Sequence, residues 1–243
     1  RVGSMEYRSP FSVVLITMGL LSFVGAQAAG IEGEAPTVPH IEAEKQAGRS
    51  DTARGTFGLG LTASFGGTYP SGTVAGTGDQ KRSIDTAYSA GARLAYQAWE
   101  NGILLCGVEY ARKTLAIERK YMGLPSTTTL ELSFIQLSAG YRRCAGMLYG
   151  EAGLFYALKA GTWTDRRELG STVTTSHIDK KSAHNEAGVF LGAGLAHSVW
   201  TVVSLEAGLR AEISFKNACT AGGDRLRTNS LLLTAGATYS ISL

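Results

Sequence analysis

Charged side chains are the residues of this sequence whose types and spacing first suggest a chemical role. Five cations and five carboxylates stand at alternate positions of otherwise apolar segments: Arg93, Lys113, Arg142, Lys159 and Arg210 against Glu109, Glu131, Glu151, Glu206 and Glu212. Alternate residues of an extended strand point to one face, and charges withdrawn from water must pair with one another. The pattern therefore predicts a network of ion pairs that fills an enclosed space.

Metal and nucleotide sites are not indicated by the remaining reactive residues. The four histidines do not combine with cysteine at metal-ligand spacing; they are His40, His177, His184 and His197. Gly58–Ala63 fits a loose dinucleotide-binding pattern, but it lies in a strand-like segment that no helix follows. We expect no metal and no cofactor.

Composition narrows the class of protein before any element is placed. The chain has 243 residues, of which 31 are Gly and 5 are Pro; its hydrophobic fraction is 44% and its mean hydropathy +0.02. A mean hydropathy near zero excludes a polytopic helical membrane protein. It is compatible with strands in which the hydropathies of lipid-facing and lumen-facing residues cancel. A net charge of +3 does not indicate a nucleic-acid partner.

The first 54 residues read as a targeting segment and a linker. Arg8 precedes an apolar run over 11–24, and Ala26-Gln27-Ala28 supplies a small-x-small cleavage site. We expect residues 1–28 to be a signal peptide, with 1–4 a cloning remnant or part of an upstream start. Residues 29–54 hold two prolines, many charges and no apolar period, which predicts a periplasmic tether ahead of a domain over 55–243.

From residue 56 onward, apolar residues alternate with polar or small ones, which is the period of a strand with two different faces. Eight segments show it, at about 57–65, 88–97, 104–111, 130–141, 148–159, 188–195, 203–213 and 231–243. Each is about long enough to cross a bilayer as a tilted strand. In the fourth segment, Leu130 and Leu132 share one phase while Ile135 and Leu137 share the other, which predicts a β-bulge near Phe134.

The connections between these segments alternate between short and long. Short ones lie at 100–102, at 143–146 and around 197–198, and long ones at 66–83, 118–128, 160–185 and 216–228. Tight periplasmic turns and large outer loops are typical of outer-membrane barrels. We therefore predict an all-β protein, an eight-stranded antiparallel up-and-down transmembrane β-barrel with both ends of its strand array in the periplasm.

Aromatic residues fall near the ends of the predicted strands and suggest two interfacial rows. The periplasmic row contains Tyr96, Trp99, Tyr141, Trp200 and Tyr239, and the outer row contains Phe65, Tyr88, Tyr110, Tyr156 and Phe215.

The cysteines fall at different depths of this barrel. Cys106 would face lipid, Cys144 would lie in a periplasmic turn and Cys219 in an outer loop. About 25 Å of membrane would separate the last two, whereas a disulfide needs Cα atoms within about 7 Å. We expect no intramolecular disulfide.

The final strand resembles the C-terminal assembly signal of outer-membrane barrels, polar-x-Gly-x-x-aromatic-x-hydrophobic, with Thr234, Gly236, Tyr239 and Ile241 at the matching positions. LELSFIQLSAGYR, YGEAGLFYALKAG and NEAGVFLGAGLAHSVW are similar to successive strands of the small OmpA/OmpX/OmpW-type, porin-like barrels. The sequence departs from many relatives in ending with Leu243 instead of Phe. The resemblance spans about residues 56–243; it implies a bacterial outer-membrane location, membrane lipid as surroundings and the barrel-assembly machinery as a partner during insertion.

Some eight-stranded barrels are enzymes, and lipid A deacylases among them use a His-x-Ser pair. Here His197 and Ser198 are adjacent, so an extended strand would direct them to opposite faces. We therefore expect that this protein is not an enzyme.

Two functions then remain for the barrel. Eight strands enclose a lumen just wide enough to be filled by side chains, so balanced inward charges favour a closed barrel with a structural or host-interaction role. Its outer loops carry cations that suit lipopolysaccharide phosphates or an anionic host surface: Lys81, Arg82, Arg119, Lys120, Arg166, Arg167, Lys180, Lys181, Lys216, Arg225 and Arg227. The alternative is an OmpW-like narrow channel for small or hydrophobic solutes, which inward Phe155 and Phe190 would favour.

Overall fold

Strands make up almost all of the chain that the structure describes. A computed structural model describes residues 55–73, 80–121, 124–178, 182, 184–221 and 224–241. Within these ranges eight long strands occur: β1 (Phe57–Thr73), β3 (Asp85–Trp99), β4 (Gly102–Tyr121), β5 (Leu124–Ala145), β6 (Leu148–Lys159), β9 (Glu186–Trp200), β10 (Val203–Ser214) and β12 (Asp224–Ile241). Four short strands accompany them: β2 (Gln80–Ser83), β7 (Thr164–Leu169), β8 (Thr172–His177) and β11 (Cys219–Ala221). The predicted signal peptide and tether lie outside the described residues.

The eight long strands close into a ring. Each pairs antiparallel with the long strand before and after it along the chain. The last long strand, β12, pairs with the first over seventeen residue pairs from Phe57↔Ile241 to Thr73↔Arg225. Closure leaves these strands without an open edge. The predicted eight-stranded antiparallel up-and-down barrel is confirmed.

The outward face of this ring is apolar between two rows of aromatic side chains. All ten aromatic residues of the two predicted rows are exposed, from Tyr96 at 37% to Trp200 at 67%. Between the rows the outward positions are filled by side chains such as Leu61, Leu94 and Leu154, which are 57–70% exposed. On β3, Tyr88 and Tyr96 are eight residues apart, which is ~27 Å along the strand and ~20 Å along the barrel axis at the usual tilt. Within the described residues, no helix is long and apolar enough to cross a membrane.

The outer connections contain more paired backbone than the sequence predicts. Strands β4 and β5 continue past the outer aromatic row and stay paired as far as Tyr121↔Leu124, so the described residues of the predicted loop 118–128 belong to two paired strands. The connection at 160–185 contains the β7–β8 hairpin, which pairs with the outer end of β5. Strands β2 and β11 add to the outer ends of β4 and β12. Polar residues occupy these extensions because they lie beyond the apolar band, where a strand needs no apolar face.

The third periplasmic turn lies further along the chain than predicted. Strand β9 runs through His197 and Ser198 to Trp200, and the turn is formed by Thr201 and Val202. Ser198 pairs with Ser204, and the register shifts between Val203 and Ser204. His197 and Ser198 look like turn residues because they are polar, yet the end of a strand outside the membrane can carry polar residues while its backbone stays paired.

The bulge predicted near Phe134 is absent from β5, whose pairing with β4 is continuous over twenty residue pairs. Leu130, Leu132 and Phe134 are buried inside the barrel, and so are Gln136 and Arg142 further along the same face. The phase of the strand therefore stays constant while the composition of the lumen changes from apolar to polar. When the lumen side of a strand becomes apolar, the apolar residues of the sequence change from one alternate set to the other. The sequence alone cannot distinguish this from a β-bulge.

Candidate functional site: the barrel lumen

Eight of the ten predicted charged residues meet inside the barrel. Alternation along β3, β4, β5, β6 and β10 directs them to one face, and ring closure brings these faces together around the axis. The eight are Arg93, Glu109, Lys113, Arg142, Glu151, Glu206, Arg210 and Glu212, and the exposed side-chain fraction of each is 9% or less. They form two groups at different depths.

The group nearer the periplasm, here called the quartet, consists of Arg93, Arg142, Glu151 and Glu206. Arg93 Nη1 lies 2.9 Å from Glu206 Oε1 and 3.7 Å from Glu151 Oε2. Arg142 donates to Glu151 Oε2 through Nη2 at 2.8 Å and to Glu206 through Nη1. Each cation contacts both carboxylates, and these contacts join β3, β5, β6 and β10 across the lumen. Because the quartet has two cations and two carboxylates, it is neutral.

The second group, here called the outer cluster, lies further from the periplasm and consists of Glu109, Lys113, Glu186, Arg210 and Glu212. Lys113 Nζ is 3.2 Å from Glu186 and 3.3 Å from Glu212. Arg210 is 3.4 Å from Glu109 and 3.3 Å from Glu212. Neutral groups complete it: Gln136 donates to Glu212 at 2.7 Å, and the Thr228 hydroxyl contacts Glu186.

Glu186 is a lumen residue that the sequence analysis missed. Its side chain is fully buried, whereas the alternation identified by sequence begins two residues later, at Gly188. Glu186 shares the phase of Gly188 and Phe190, so extending that alternation by one step toward the N-terminus would have found it. With Glu186 included, the two groups hold four cations and five carboxylates.

Two predicted members of the network, Glu131 and Lys159, lie elsewhere. Glu131 points out of the barrel, since its neighbours Leu130 and Leu132 fill the lumen; it pairs with Arg112 at 2.5 Å, and both side chains are about 40% exposed. The assumed bulge caused this error, because it reversed the phase of the outer half of β5. Lys159 keeps the inward phase, but its Nζ lies 5.1 Å above the Trp163 ring instead of joining the ion pairs.

Arg93 and Glu109 do not pair with each other, although they stand on the neighbouring strands β3 and β4. Gly91, not Arg93, is the register partner of Glu109, and Arg93 stands opposite Gly107. Glu109 instead accepts from Ser89 at 3.0 Å and from Arg210 across the lumen. Opposite faces of a narrow barrel are within reach of long side chains, so cross-lumen partners compete with hairpin neighbours.

Aromatic rings inside the barrel lie against inward glycines and also contact cations. Phe190 covers Gly140 and Gly153, where an added Cβ would come within 2.7 and 2.6 Å of the ring. The Arg210 guanidinium lies 4.1 Å from the Phe190 ring centre. Tyr149 is arranged similarly, with Gly194 beneath it and Arg142 at 3.9 Å. These inward glycines thus make room for rings that fill the lumen, and the rings support the cations.

The outer end of the lumen is filled by apolar side chains, here called the apolar layer. It contains Ala111, Leu115, Ile117, Leu130, Leu132, Phe134, Phe155, Ala157, Trp163, Ala218 and Leu226. Trp163, from the connection between β6 and β7, is fully buried; its Nε1 donates to the Ser133 carbonyl at 2.9 Å, and its ring packs edge-on against Phe134. The sequence analysis missed this layer because Leu115, Ile117, Trp163 and other members lie outside the predicted strand segments, and because the assumed bulge turned Leu130 and Leu132 toward lipid.

A cavity of about 430 Å³ occupies the periplasmic end of the lumen. The three periplasmic turns surround it, and Arg93, Arg142 and Glu206 of the quartet line its inner end. Cys144 also lines this cavity from β5, so the prediction that it lies in the turn is wrong; the turn begins at Gly146. Cys106 is exposed on the outward face, in agreement with its predicted lipid contact.

The four residues of the predicted assembly signal all lie on β12: Thr234, Gly236, Tyr239 and Ile241. Tyr239 and Ile241 are about half exposed on the outward face near the periplasmic end, and Gly236 lies opposite Glu206. His197 and Ser198 occupy consecutive positions of β9 and so point to opposite faces. Among the described residues, His, Cys, Asp and Glu side chains form no group of three that could hold a metal ion.

Comparison with known proteins gives structural likeness alone. No protein-family model and no curated protein sequence matches the chain. Solved structures that it resembles include Ail, the attachment invasion locus protein of Yersinia pestis, at 9% identity and a TM-score of 0.39, covering 78% of this chain and 100% of that one. Neisserial surface protein A is similar at 18% identity and 0.41, covering 76% and 99%, and OprG of Pseudomonas aeruginosa at 12% and 0.44, covering 78% and 97%.

Because these identities are low and the TM-scores are below 0.5, the assignment depends on the strand pairing and on the outward face. A closed antiparallel ring satisfies its backbone polar groups internally, which a spanning structure must do in lipid. The apolar outward face between two aromatic rows is the surface that such a ring presents to a bilayer. In its described part, this chain is a closed eight-stranded antiparallel β-barrel with the outward face of a transmembrane barrel.

Proposed function

We propose that the barrel is closed to solutes and that its function resides on its outer surface, in a structural or surface-interaction role. The observation that carries this proposal is that the quartet, the outer cluster and the apolar layer follow one another along the axis. On β4 the inward residues pass from Glu109 through Lys113 to Leu115 and Ile117, all of them buried. A solute would have to displace all three groups of side chains.

Ion passage is opposed at each of these levels. Separating a buried ion pair leaves charges without partners, which costs about 3–5 kcal/mol. Beyond the pairs, the apolar layer supplies no groups that could replace an ion's water shell. Phe155 and Phe190, which could have lined an open path for hydrophobic solutes, instead lie under Lys113 and Arg210 at 5.3 and 4.1 Å.

Single-channel recording of the refolded protein in a planar bilayer tests closure. We expect no resolvable conductance in 1 M KCl. As a control, the double variant Glu206→Gln with Trp163→Ala weakens the quartet and removes the largest side chain of the apolar layer, and it should show brief openings. Large, stable conductance in the unmodified protein would contradict closure and support the narrow-channel alternative.

The outer strand extensions provide a surface for a protein partner. Beyond the outer aromatic row, β2, β4, β5, β7 and β8 form a continuous sheet. All six residues of β8 (TVTTSH) are exposed, and among the described strands β8 pairs with β7 alone. An edge strand that is rich in β-branched residues, without Lys or Pro, is suited to pairing with an extended segment of another protein.

Selection from a displayed library of random extended peptides tests the β8 edge. The protein in nanodiscs should enrich peptides that the variant Val173→Lys with Thr175→Lys does not retain, because charge on an edge opposes strand addition. Ser171→Lys, in the turn of the same hairpin, is the matched control and should retain them. Equal enrichment by the protein and the edge variant would contradict this role for β8.

A further inference from the structure

We infer that the outer cluster holds one monovalent cation of about the size of a water molecule, such as K⁺, inside the barrel. The inference concerns a ligand of buried side chains, and it is independent of what the outer surface of the barrel binds. Three observations carry it: an unbalanced buried charge, a buried oxygen without a partner, and a small cavity that adjoins both.

The charges of the outer cluster do not balance. It contains three carboxylates, Glu109, Glu186 and Glu212, but two cations, Lys113 and Arg210. Each of these side chains is at most 4% exposed, and the quartet cannot compensate because it is neutral in itself. A buried charge without a counter-ion is costly. The cluster therefore needs one further positive charge.

Lys159, the fifth predicted inward cation, does not supply this charge. Its Nζ lies 5.1 Å from the centre of the Trp163 ring, in the apolar layer. Among the described residues it forms no ion pair with a carboxylate of the cluster. The missing positive charge must therefore come from outside the chain.

Gln136 directs a buried oxygen into the same cluster. The residue is 1% exposed, and its Nε2 donates to Glu212 at 2.7 Å. Its Oε1 is buried and has no hydrogen-bond partner among the described residues. The opposite orientation of the amide would set this oxygen against the Glu212 carboxylate, so the nitrogen is assigned correctly. A buried amide oxygen requires a donor or a cation beside it.

A cavity of about 10 Å³ adjoins these groups, and a cavity of that volume accommodates about one water-sized particle. Gln136, Ser89 and Glu212 line it, which offers an amide oxygen, a hydroxyl oxygen and one carboxylate. Lys113 also lines it, but its Nζ is already engaged by Glu186 and Glu212 at 3.2 and 3.3 Å. Oxygen atoms of this kind can replace the hydration shell of an alkali cation.

A monovalent cation accounts for all three observations, whereas its competitors account for fewer. A water molecule would fill the cavity and donate to Gln136, but it would leave the charge unbalanced. A proton would balance the charge, but it would leave the cavity empty. A divalent cation would give the cluster a surplus positive charge. Because K⁺ is close to a water molecule in size, we assign K⁺ or a cation of the same charge and size.

Urea unfolding of the protein from lipid vesicles, in mixtures of KCl and choline chloride at constant ionic strength, tests the site. Choline is too large for the cavity, whereas exposed charges are screened equally by both salts. A ligand that binds only the folded state raises the ratio of folded to unfolded protein in proportion to its concentration above the Kd. We expect this ratio to rise by about tenfold for each tenfold increase in KCl in that range.

Two variants test the charge and the oxygen separately. Glu186→Gln removes the surplus carboxylate, and its stability should be the same in KCl and in choline chloride. Gln136→Leu removes the unpartnered oxygen and should reduce the dependence on KCl. Glu118→Gln is the matched control, because it makes the same chemical change at a carboxylate of β4 whose side chain is 47% exposed. It should retain the full dependence on KCl.

Equal stability of the unmodified protein in the two salts would show that a water molecule or a proton occupies the cluster instead, and it would overturn the inference. An undiminished dependence on KCl in Glu186→Gln would overturn it as well. The comparison of salts needs no variant, so it decides the question even if a substituted chain does not fold.

Discussion

At the scale of single residues, each carboxylate of the quartet serves two cations from different strands. Glu206 on β10 contacts Arg93 on β3 and Arg142 on β5, which are 113 and 64 residues away in the chain. Such a group acts as a cross-lumen link as well as a charge partner. Its removal should therefore cost more than the loss of an exposed ion pair, which is typically worth 0–1 kcal/mol.

Glu206→Gln should reduce the free energy of unfolding by about 3–5 kcal/mol if the site is dry, and by less where water from the periplasmic cavity reaches Arg93 and Arg142. Urea unfolding of the protein in lipid vesicles measures this. Lys216→Gln, on the exposed face beyond β10, should remain within about 0.5 kcal/mol of the unmodified protein. Equal effects of the two substitutions would show that the quartet does not stabilise the barrel.

Gly153→Ala tests the packing of rings on glycine. The added Cβ would lie 2.3 Å from the Ala139 carbonyl oxygen and 2.6 Å from the Phe190 ring, so backbone must move and a cost of about 1–3 kcal/mol is expected. At Gly107 the contact under 3 Å is with the Ser138 hydroxyl at 2.8 Å, the end of a small side chain. Gly107→Ala should be tolerated better in the same unfolding measurement, and the reverse order would refute this account.

At the scale of elements, a strand of this barrel separates two environments along its whole length. Strand β6 shows this most plainly: Leu154 is 63% exposed to the lipid side, and the next residue, Phe155, is 3% exposed in the lumen. The cost of a charge on the lipid side depends on its depth. Substitutions along one strand face therefore measure how the barrel sits in the bilayer.

Leu154→Arg should lose about 2–4 kcal/mol of stability, the cost of Arg near the midplane of the lipid face. Leu158→Arg, on the same face four residues nearer the outer end, should cost about 0–1 kcal/mol because its guanidinium can reach the interface. Unfolding from vesicles of defined thickness measures both changes. A larger loss of stability at Leu158 than at Leu154 would show that the bilayer midplane lies nearer the outer end of β6 than this prediction assumes.

At the scale of the whole molecule, the lumen is graded along its axis. A cavity at the periplasmic end is followed by the neutral quartet, then by the outer cluster and finally by the apolar layer, which contains Trp163. Function is consequently expected on the outer surface, where the β7–β8 hairpin and the cations of β12 stand.

Export of the chain predicts a mature N-terminus at or close to Ala29. The signal peptide over 1–28 should be removed on secretion, leaving residues 29–54 as a periplasmic tether. Intact mass measurement of the protein purified from bacterial envelopes checks this. Retention of residues 5–28 in the purified protein would contradict the signal-peptide assignment.

The sequence by itself determines the number of strands, their faces and their aromatic rows. Alternation is a local property of consecutive residues, so Leu154 and Tyr88 reveal their outward direction without reference to any partner. The count of alternating segments and the short turns between them then imply up-and-down pairing. These features follow from chain neighbours, and the structure confirms them for the long strands except in the outer half of β5, whose face the assumed bulge reversed.

Only the tertiary structure decides which side chains meet in the lumen. Arg93 pairs with Glu206 and not with Glu109, because closing the ring brings β3 and β10 together across the axis. Glu131 leaves the network because an apolar stretch of lumen lies beside it, and Trp163 enters from a loop whose course alternation does not specify. Partners distant in the chain are selected by closure and register, which are properties of the assembled barrel and not of any single strand.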